Sequence, residues 1–544
     1  MAREPAWRRE TVETIGRFDD LHEGVAHRLA SGEPSAAAAL LSEKWPRFVT
    51  RHGHGIRELI DSLPHELWAD DPWLLAAIGS SYRSVDSAGV VAGLPYFRAA
   101  EATLAATPDA SPWHTSDVLS HHSAALRSLG LIAEAEAKAA EAGALLRSAR
   151  SRGTKQRVRA EGINALHRGL VAIHLGDFER AEGLLQLADG LADRTLGIAE
   201  QVECLGGLAY LRYANGDFDQ ALALVRKAEA LDSATLNSRI GVLALTVDLL
   251  VAVERNRPDD VTRAEGIVSA VAAGSEWEPL SLFARSAISV ISGRHIEGLD
   301  HVRRGRQAMR DWTGDPVARE LCEGMRGVLH LHLGQRDEAL AIFEVLTPTE
   351  NHANCPARFI AGVRFLHDDY AGTLDALADC EQLGDDHSTR TIIDVLLLKA
   401  AAHYELGNPD IADIAFDQAL LVASHTGLKT PFTLIPGDTM QRMLSRASDR
   451  PQPAPVHRIL DTMRAGLSNP LHSALEPLSE RELDIAQRLS HDKTLGQIAS
   501  DLFISTNTLK THLRSIYRKL NATSRREAVH RVQELGLSRE ITRY

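Results

Sequence analysis

The sequence predicts an all-α protein in which a long array of helical hairpins is followed by a small helical domain at the C-terminus. Three observations predict it. Only 5% of the 544 residues are aromatic, while Ala and Leu abound, a composition that favours helices. Turn residues recur about every 40 residues between amphipathic segments. Residues 478–535 then read as four short amphipathic segments of a different spacing.

The chain opens on MAREPAWRRETVET, which lacks the apolar stretch of a signal peptide. No run approaches about 18 uncharged apolar residues, the least that crosses a bilayer. A cytoplasmic chain with no membrane partner is therefore expected.

Turns inside helical pairs are expected at Asp86, Gly130, Gly176, Gly216, Asn256, Gly293, Gly334, His367 and Gly407. Five positions after most of them stands a small residue: Ala135, Ala181, Ala221, Gly298, Ala339, Gly372 and Ala412. A small residue at a fixed place lets two helices approach closely, which is how stacked hairpins form a solenoid. The clearest copies, LVAIHLGDFERAEGLLQLA at 170–188 and LAYLRYANGDFDQALALVRKA at 208–228, share a Gly-Asp-Phe turn and the Ala pairs Ala181/Ala188 and Ala221/Ala228. They resemble tetratricopeptide repeats, which implies a tetratricopeptide-like α-solenoid over residues 1–435. Its concave face would sense an effector: a small molecule, peptide or protein.

Residues 40–75 carry Trp45, Pro46, Leu59, Leu63, Pro64, Leu67, Pro72 and Leu74. They resemble the entry to the helical superhelix of the large LuxR-type regulators related to the maltose-regulon activator. In that family an ATP-hydrolysing domain precedes the superhelix, and this chain is read as lacking it. A phosphate loop needs G-x-x-x-x-G-K-[ST] so that backbone amides cradle phosphate and Lys neutralises it. The nearest approach, Gly293 to Gly298, is followed by Leu299 and reads as a turn glycine and a packing glycine.

Cys204, Cys322, Cys355 and Cys380 contain no C-x-x-C pair and read as separate buried thiols in a reducing compartment. The 24 histidines form no H-E-x-x-H pattern; His52, His54, His121 and His122 read as loop and helix-surface residues. No G-x-S-x-G or kinase motif occurs. No catalytic, cofactor or metal residues are therefore expected, and the chain is read as not an enzyme.

Residues 436–475 read as a connecting segment. DRPQPAP at 449–455 is stiff and non-helical, an apolar helix follows at 456–467, and Ser468-Asn469-Pro470 turns the chain into the last domain, residues 476–544.

In that domain Ser479/Glu482, Thr494/Gln497 and Ser524/Glu527 have the spacing of capping boxes, which fix helix starts. The segment ending at Leu502 is followed by Phe503, Ile504 and Ser505, which can cap the next helix; two helices joined so tightly make a helix-turn-helix. The third helix, about 506–520, should bury Leu509, His512 or Leu513, Ile516 and Leu520 and present Asn507, Lys510, Thr511, Arg514 and Arg518. Between Leu502 and Arg526 stand six Lys or Arg and no acid. The whole chain carries −13, but residues 478–544 hold 12 basic against 8 acidic side chains, leaving 48 against 65 in the rest. An acidic body with a basic tail domain suits a DNA reader whose body stays off nucleic acid.

Leu478, Ser479, Arg481, Glu482, Ile498, Ala499, Leu502, Ile504, Ser505, Thr508, Leu509, Lys510, His512, Lys519, Leu520, Arg525 and Ala528 follow a pattern that resembles the LuxR-type DNA-binding domain. The resemblance implies a four-helix fold bound to double-stranded DNA, with Lys510, Thr511 and Arg514 facing base edges. Thr494, Ser505, Thr506, Asn507 and Arg518 complete the implied DNA surface, and Lys519 and Arg525 lie near phosphates or in the packing seam. It also implies that the fourth helix, through Ala528, Val529 and Val532, pairs two copies, a homodimer at least on DNA. Asp492 and Thr494-Leu495-Gly496-Gln497 depart from the family's usual Gly and Ser-Asn-Lys-Glu, which removes one phosphate-contacting Lys. The expected function is transcriptional regulation; the alternative is a helical scaffold whose DNA-binding domain is vestigial.

Overall fold

The computed structural model describes residues 17–534 apart from 85–86, 108–109, 149–154, 350, 468–477, 479, 490–492, 521 and 523. All regular elements among the described residues are helical, and one isolated parallel bridge joins Leu131 to Thr313. Hairpins follow one another: Lys155–Leu175 packs on Phe178–Thr195, Ile198–Asn215 on Phe218–Leu231, Glu278–Ile291 on His295–Ala308, and Thr389–Glu405 on Pro409–Thr426.

The turns are where the sequence places them. Gly130, Gly176, Gly216, Gly293, Gly334 and Gly407 all have φ between 67 and 91°, and Asn256 has 48°. Near His367 the left-handed residue is its neighbour Asp368, at 60°; Asp86 lies outside the described residues. In the first Gly-Asp-Phe turn, at 176–178, the Gly and the Asp have separate tasks. Gly176 reverses the chain at φ 81°, and the Asp177 side chain accepts the Arg180 amide at 3.2 Å to cap the next helix. The small residues after the turns are buried as expected: Ala135, Ala181, Ala221 and Ala339 are 0% exposed. A Cβ on Gly298 would lie 2.6 Å from the Leu329 side chain, so Gly293 and Gly298 are indeed turn and packing residues.

A simple solenoid would have each repeat touch its neighbours alone. This one coils so tightly that successive superhelical turns meet. Thr313 donates its amide to the Gly130 carbonyl at 2.9 Å and accepts that of Ile132 at 2.9 Å. Ser388 Oγ donates to the Ala214 carbonyl at 2.7 Å, Lys429 N to the Glu254 carbonyl at 3.0 Å, and Thr50 Oγ1 to Glu200 Oε1 at 3.0 Å. Buried charge lies where distant hairpins meet. Arg127 is 0% exposed and pairs with Glu276 and, at 3.4 Å, with Glu203, which also holds Arg83 at 2.9 Å. His174 meets Asp315 at 2.7 Å beneath the stacked ring of Trp277.

Two sequence expectations are corrected here. His121 and His122 are 2% and 6% exposed, not surface residues: their helix, Pro112–Ser128, lies between neighbouring hairpins and is covered on nearly every side. The segment expected to connect the two domains has the expected helix after its prolines but is also a further packed layer, because Gly437–Ser448 and Ala454–Leu467 bury Met440, Met443, Leu444, Val456 and Leu460 in the same apolar core as the hairpins before them. Arg450 fastens the proline stretch between them through Asp413 and Asp417, both at 2.6 Å.

The C-terminal helices are Glu480–Arg488, Leu495–Asp501, Thr506–Lys519 and Arg525–Glu534. Their core, with Ile485, Ile498, Leu509, Leu513, Ile516 and Val532, is continuous with Leu299, Val302, Leu329 and Leu333 of the solenoid. Arg531 Nη1 lies 3.4 Å from Asp300 Oδ1 across that contact. No helix among the described residues is long and apolar enough to cross a membrane.

Candidate functional site

The helix Thr506–Lys519 is held by its neighbours so that one face stays free. Thr494 and Gln497 form a reciprocal capping box, Thr494 N to Gln497 Oε1 at 2.8 Å and Gln497 N to Thr494 Oγ1 at 3.3 Å, which starts the preceding helix. That helix ends at Leu502, whose carbonyl accepts Arg481 Nη2 at 2.6 Å; this contact gives the motif arginine its structural reason. Phe503 turns the chain at φ 54° with 96% of its surface exposed. Ser505 Oγ then accepts the Thr508 amide at 3.0 Å and caps the third helix. The Ser524 cap works the same way, taking the Glu527 amide at 3.2 Å; Ser479 lies outside the described residues.

Leu509, Leu513, Ile516 and Leu520 are buried, and His512 sits at the margin. Thr494, Ser505, Thr506, Asn507, Lys510, Thr511 and Arg514 are exposed. Lys510, Thr511 and Arg514, at i, i+1 and i+4, form one polar and basic strip on the first two turns of the helix, the part that enters deepest in a helix-turn-helix. The side chain of Arg518 lies outside the described residues.

Lys519 and Arg525 belong to the packing seam. Lys519 Nζ meets Glu482 Oε2 at 2.6 Å, and Arg525 donates to the Leu489 carbonyl at 3.0 and 3.2 Å. Ala528 and Val532 are 0% exposed, so in this state neither offers surface to a second copy; Val529 is partly covered.

A second site lies between superhelical turns. A cavity of about 340 Å³ is lined by Phe178, Tyr210, Tyr213, Phe283, Val317, Leu321, Pro348 and Arg390, among others, a size that suits a small ligand. The Arg390 guanidinium lies 5.2 Å from the Tyr213 ring centre and 3.5 Å from Glu254. Burial pushes the Tyr210 hydroxyl up to about 12, so it stays a neutral donor. No short-range pattern announces this cavity, because its walls come from segments spread from Leu175 to Arg390.

Of the four cysteines, Cys204 and Cys322 are isolated buried thiols, both pushed up to about 12 by burial. Cys355 and Cys380 are not separate: they converge with His352 and His387. The signal for that was present as H-x-x-C at 352–355 and a Cys seven residues before His387, a spacing outside the C-x-x-C pattern sought.

The family described as "Bacterial regulatory proteins, luxR family" matches residues 476–532. The transcriptional regulatory protein YxjL of Bacillus subtilis (strain 168) is 37% identical over 71 residues, 13% of this chain and 33% of that protein. The HTH-type transcriptional regulator MalT of Cronobacter sakazakii is 27% identical over 206 residues, 33% of this chain and 22% of that protein. MalT of Vibrio campbellii is 24% identical over 257 residues, 43% and 26% of the two chains. The chain thus spans a third or less of the length of these relatives. Among solved structures, a Rap protein complexed with Competence and Sporulation Factor aligns at TM-score 0.44 and 13% identity over 64% of this chain and 98% of that one. The C-terminal domain is a LuxR-type helix-turn-helix.

Proposed function

We propose that the chain is a transcriptional regulator that reads double-stranded DNA with the helix Thr506–Lys519 and is controlled by a ligand held between turns of its superhelix. One helix, Pro316–His332, carries the reading: Pro316, Val317, Glu320 and Leu321 line the cavity, and Leu329 lies in the apolar cluster against which the DNA-binding domain docks. Filling the cavity and releasing the domain therefore act on the same rigid element. A ligand shifts the balance only as far as it prefers one arrangement over the other.

In the docked arrangement the strip Lys510, Thr511 and Arg514 is open to solvent, but the fourth helix is occupied by Asp300. Docking and pairing through the outer side of the fourth helix, around Val529, then compete, and two copies on adjacent half-sites require the undocked form. The cavity size and its aromatic lining favour a small, largely apolar molecule as effector.

Selecting bound fragments from a random pool of duplex DNA with the full chain, and with a chain ending at residue 475, tests the DNA reading. Enrichment by the first and not the second supports it; no enrichment sinks it. Asp300→Arg, which sets two cations against each other, should raise DNA affinity if docking restrains the domain. Unchanged affinity would remove the docking step while leaving the DNA reading in place.

A further inference from the structure

His352, Cys355, Cys380 and His387 bring one nitrogen or sulfur each to within 4.8 Å of one another. Cys355 Sγ lies 3.5 Å from Cys380 Sγ, and Cys380 Sγ lies 3.5 Å from His352 Nδ1. The rings of His352 and His387 stand edge to face with centres 5.1 Å apart. Such distances suit the corners of one coordination shell. Zinc bonds of about 2.3 Å to sulfur and about 2.0–2.1 Å to nitrogen place tetrahedral ligands about 3.4–3.8 Å apart.

The protonation chemistry agrees. His387 is 5% exposed, and its Nδ1 lies 3.1 Å from the Ser388 carbonyl. An Nδ1–H donated there leaves the lone pair on Nε2, and Nε2 is buried with no hydrogen-bond partner in the protein. Cys355 and Cys380 are 0% exposed. Among the described residues no such group of His, Cys, Asp or Glu surrounds Cys204 or Cys322.

We propose that these four residues bind one Zn²⁺ as a structural Cys₂His₂ centre. Both thiols give up their protons, and the two thiolates neutralise the dication, so the buried centre carries no net charge. All four tetrahedral positions come from the chain, leaving none open for substrate, which distinguishes a structural from a catalytic zinc. The metal would join the loop before Pro356–Phe365 to the turn before Thr389–Glu405. That loop is already fastened by Thr391 Oγ1 to the His352 carbonyl at 2.7 Å and by Asn351 Nδ2 to Asn215 Oδ1 at 2.9 Å. Ala353 and Asn354 of the same loop line the cavity, so the zinc would fix one of its walls.

Elemental analysis of the full chain, purified under reductant without chelator, should find one Zn²⁺ per chain. The Cys204→Ser/Cys322→Ser variant should retain it, and Cys355→Ser/Cys380→Ser should lose at least about tenfold, the scale set by losing ligand-shell support. Co²⁺ added to the chelator-treated chain should give the intense visible bands of a tetrahedral site together with thiolate-to-metal charge transfer. Because that readout needs no substitution, it decides the matter even if the Cys355→Ser/Cys380→Ser variant fails to fold. Three results would overturn the site: no zinc after incubation with equimolar Zn²⁺, the weak spectrum of octahedral cobalt, or a Cys355–Cys380 disulfide persisting under reductant.

Discussion

Lys519 Nζ lies 2.6 Å from Glu482 Oε2, with the two side chains 10% and 7% exposed. The pair ties the end of the third helix of the DNA-binding domain to its first. Deleting one partner takes a close opposite charge away from the other in a covered site, which costs about 3 kcal/mol. Lys519→Ala and Glu482→Ala should each cut hydrogen-exchange protection across residues 509–520 of the full chain by about a hundredfold, at about 1.4 kcal/mol per factor of ten. Lys519→Met with Glu482→Leu should recover much of it. Unchanged protection in the single variants would show that the pair bears no structural load.

Arg514 is exposed on the strip with Lys510. An arginine bidentate to guanine discriminates by about 1–3 kcal/mol, whereas a phosphate contact weakens all sequences alike. Arg514→Ala should lower the ratio of operator to random-DNA affinity by about 5- to 150-fold, the same energy expressed as binding. Competition binding at one salt concentration measures it. A preserved ratio would mean that another face of the helix meets the bases.

Gly216 and Gly407 occupy equivalent turns at φ 91 and 78°. A Cβ on Gly407 meets nothing within 4 Å, while one on Gly216 would lie 2.8 Å from the Arg390 amide nitrogen in the next superhelical turn. Both substitutions to Ala pay about 1–2 kcal/mol for the left-handed backbone. Gly216→Ala should cost about 1–3 kcal/mol more, as overpacking does, read as a lower urea midpoint. Equal midpoints would argue that the superhelical turns do not touch there in solution.

Asp117 is 3% exposed, and burial raises its carboxyl from 3.8 to about 7, with Arg159 at 3.9 Å offsetting part of the effect. Between those two values the folded chain keeps a proton that the unfolded chain has lost, so stability falls as pH rises through that window and levels off above about 7. Asp117→Asn should therefore stabilise the protein more at pH 8 than at pH 5, by about 1–3 kcal/mol at about 1.4 kcal/mol per pH unit. Denaturant midpoints of both chains at the two pH values test this; a gain independent of pH would mean that Asp117 is already ionised at pH 5.

Local pattern alone fixed much of this protein. Left-handed turns favour Gly or Asn, close helix approach favours Ala or Gly, and a capping box sets a hydroxyl three residues before its partner. Gly176, Ala181 and Thr494 could therefore be placed from the sequence, and so could the buried and open faces of Thr506–Lys519. Other features depended on which distant segments meet. Gly130 against Thr313, Ala214 against Ser388, Leu329 against the DNA-binding core and His352 beside Cys380 are brought together by the pitch of the superhelix and the path of its loops. That pitch is the sum of many small rotations between hairpins, each set by side-chain packing that no short motif encodes. The sequence by itself thus determined the helices, their turns and the LuxR-type domain, while only the tertiary structure decided the cavity, the docked domain and the four-ligand cluster.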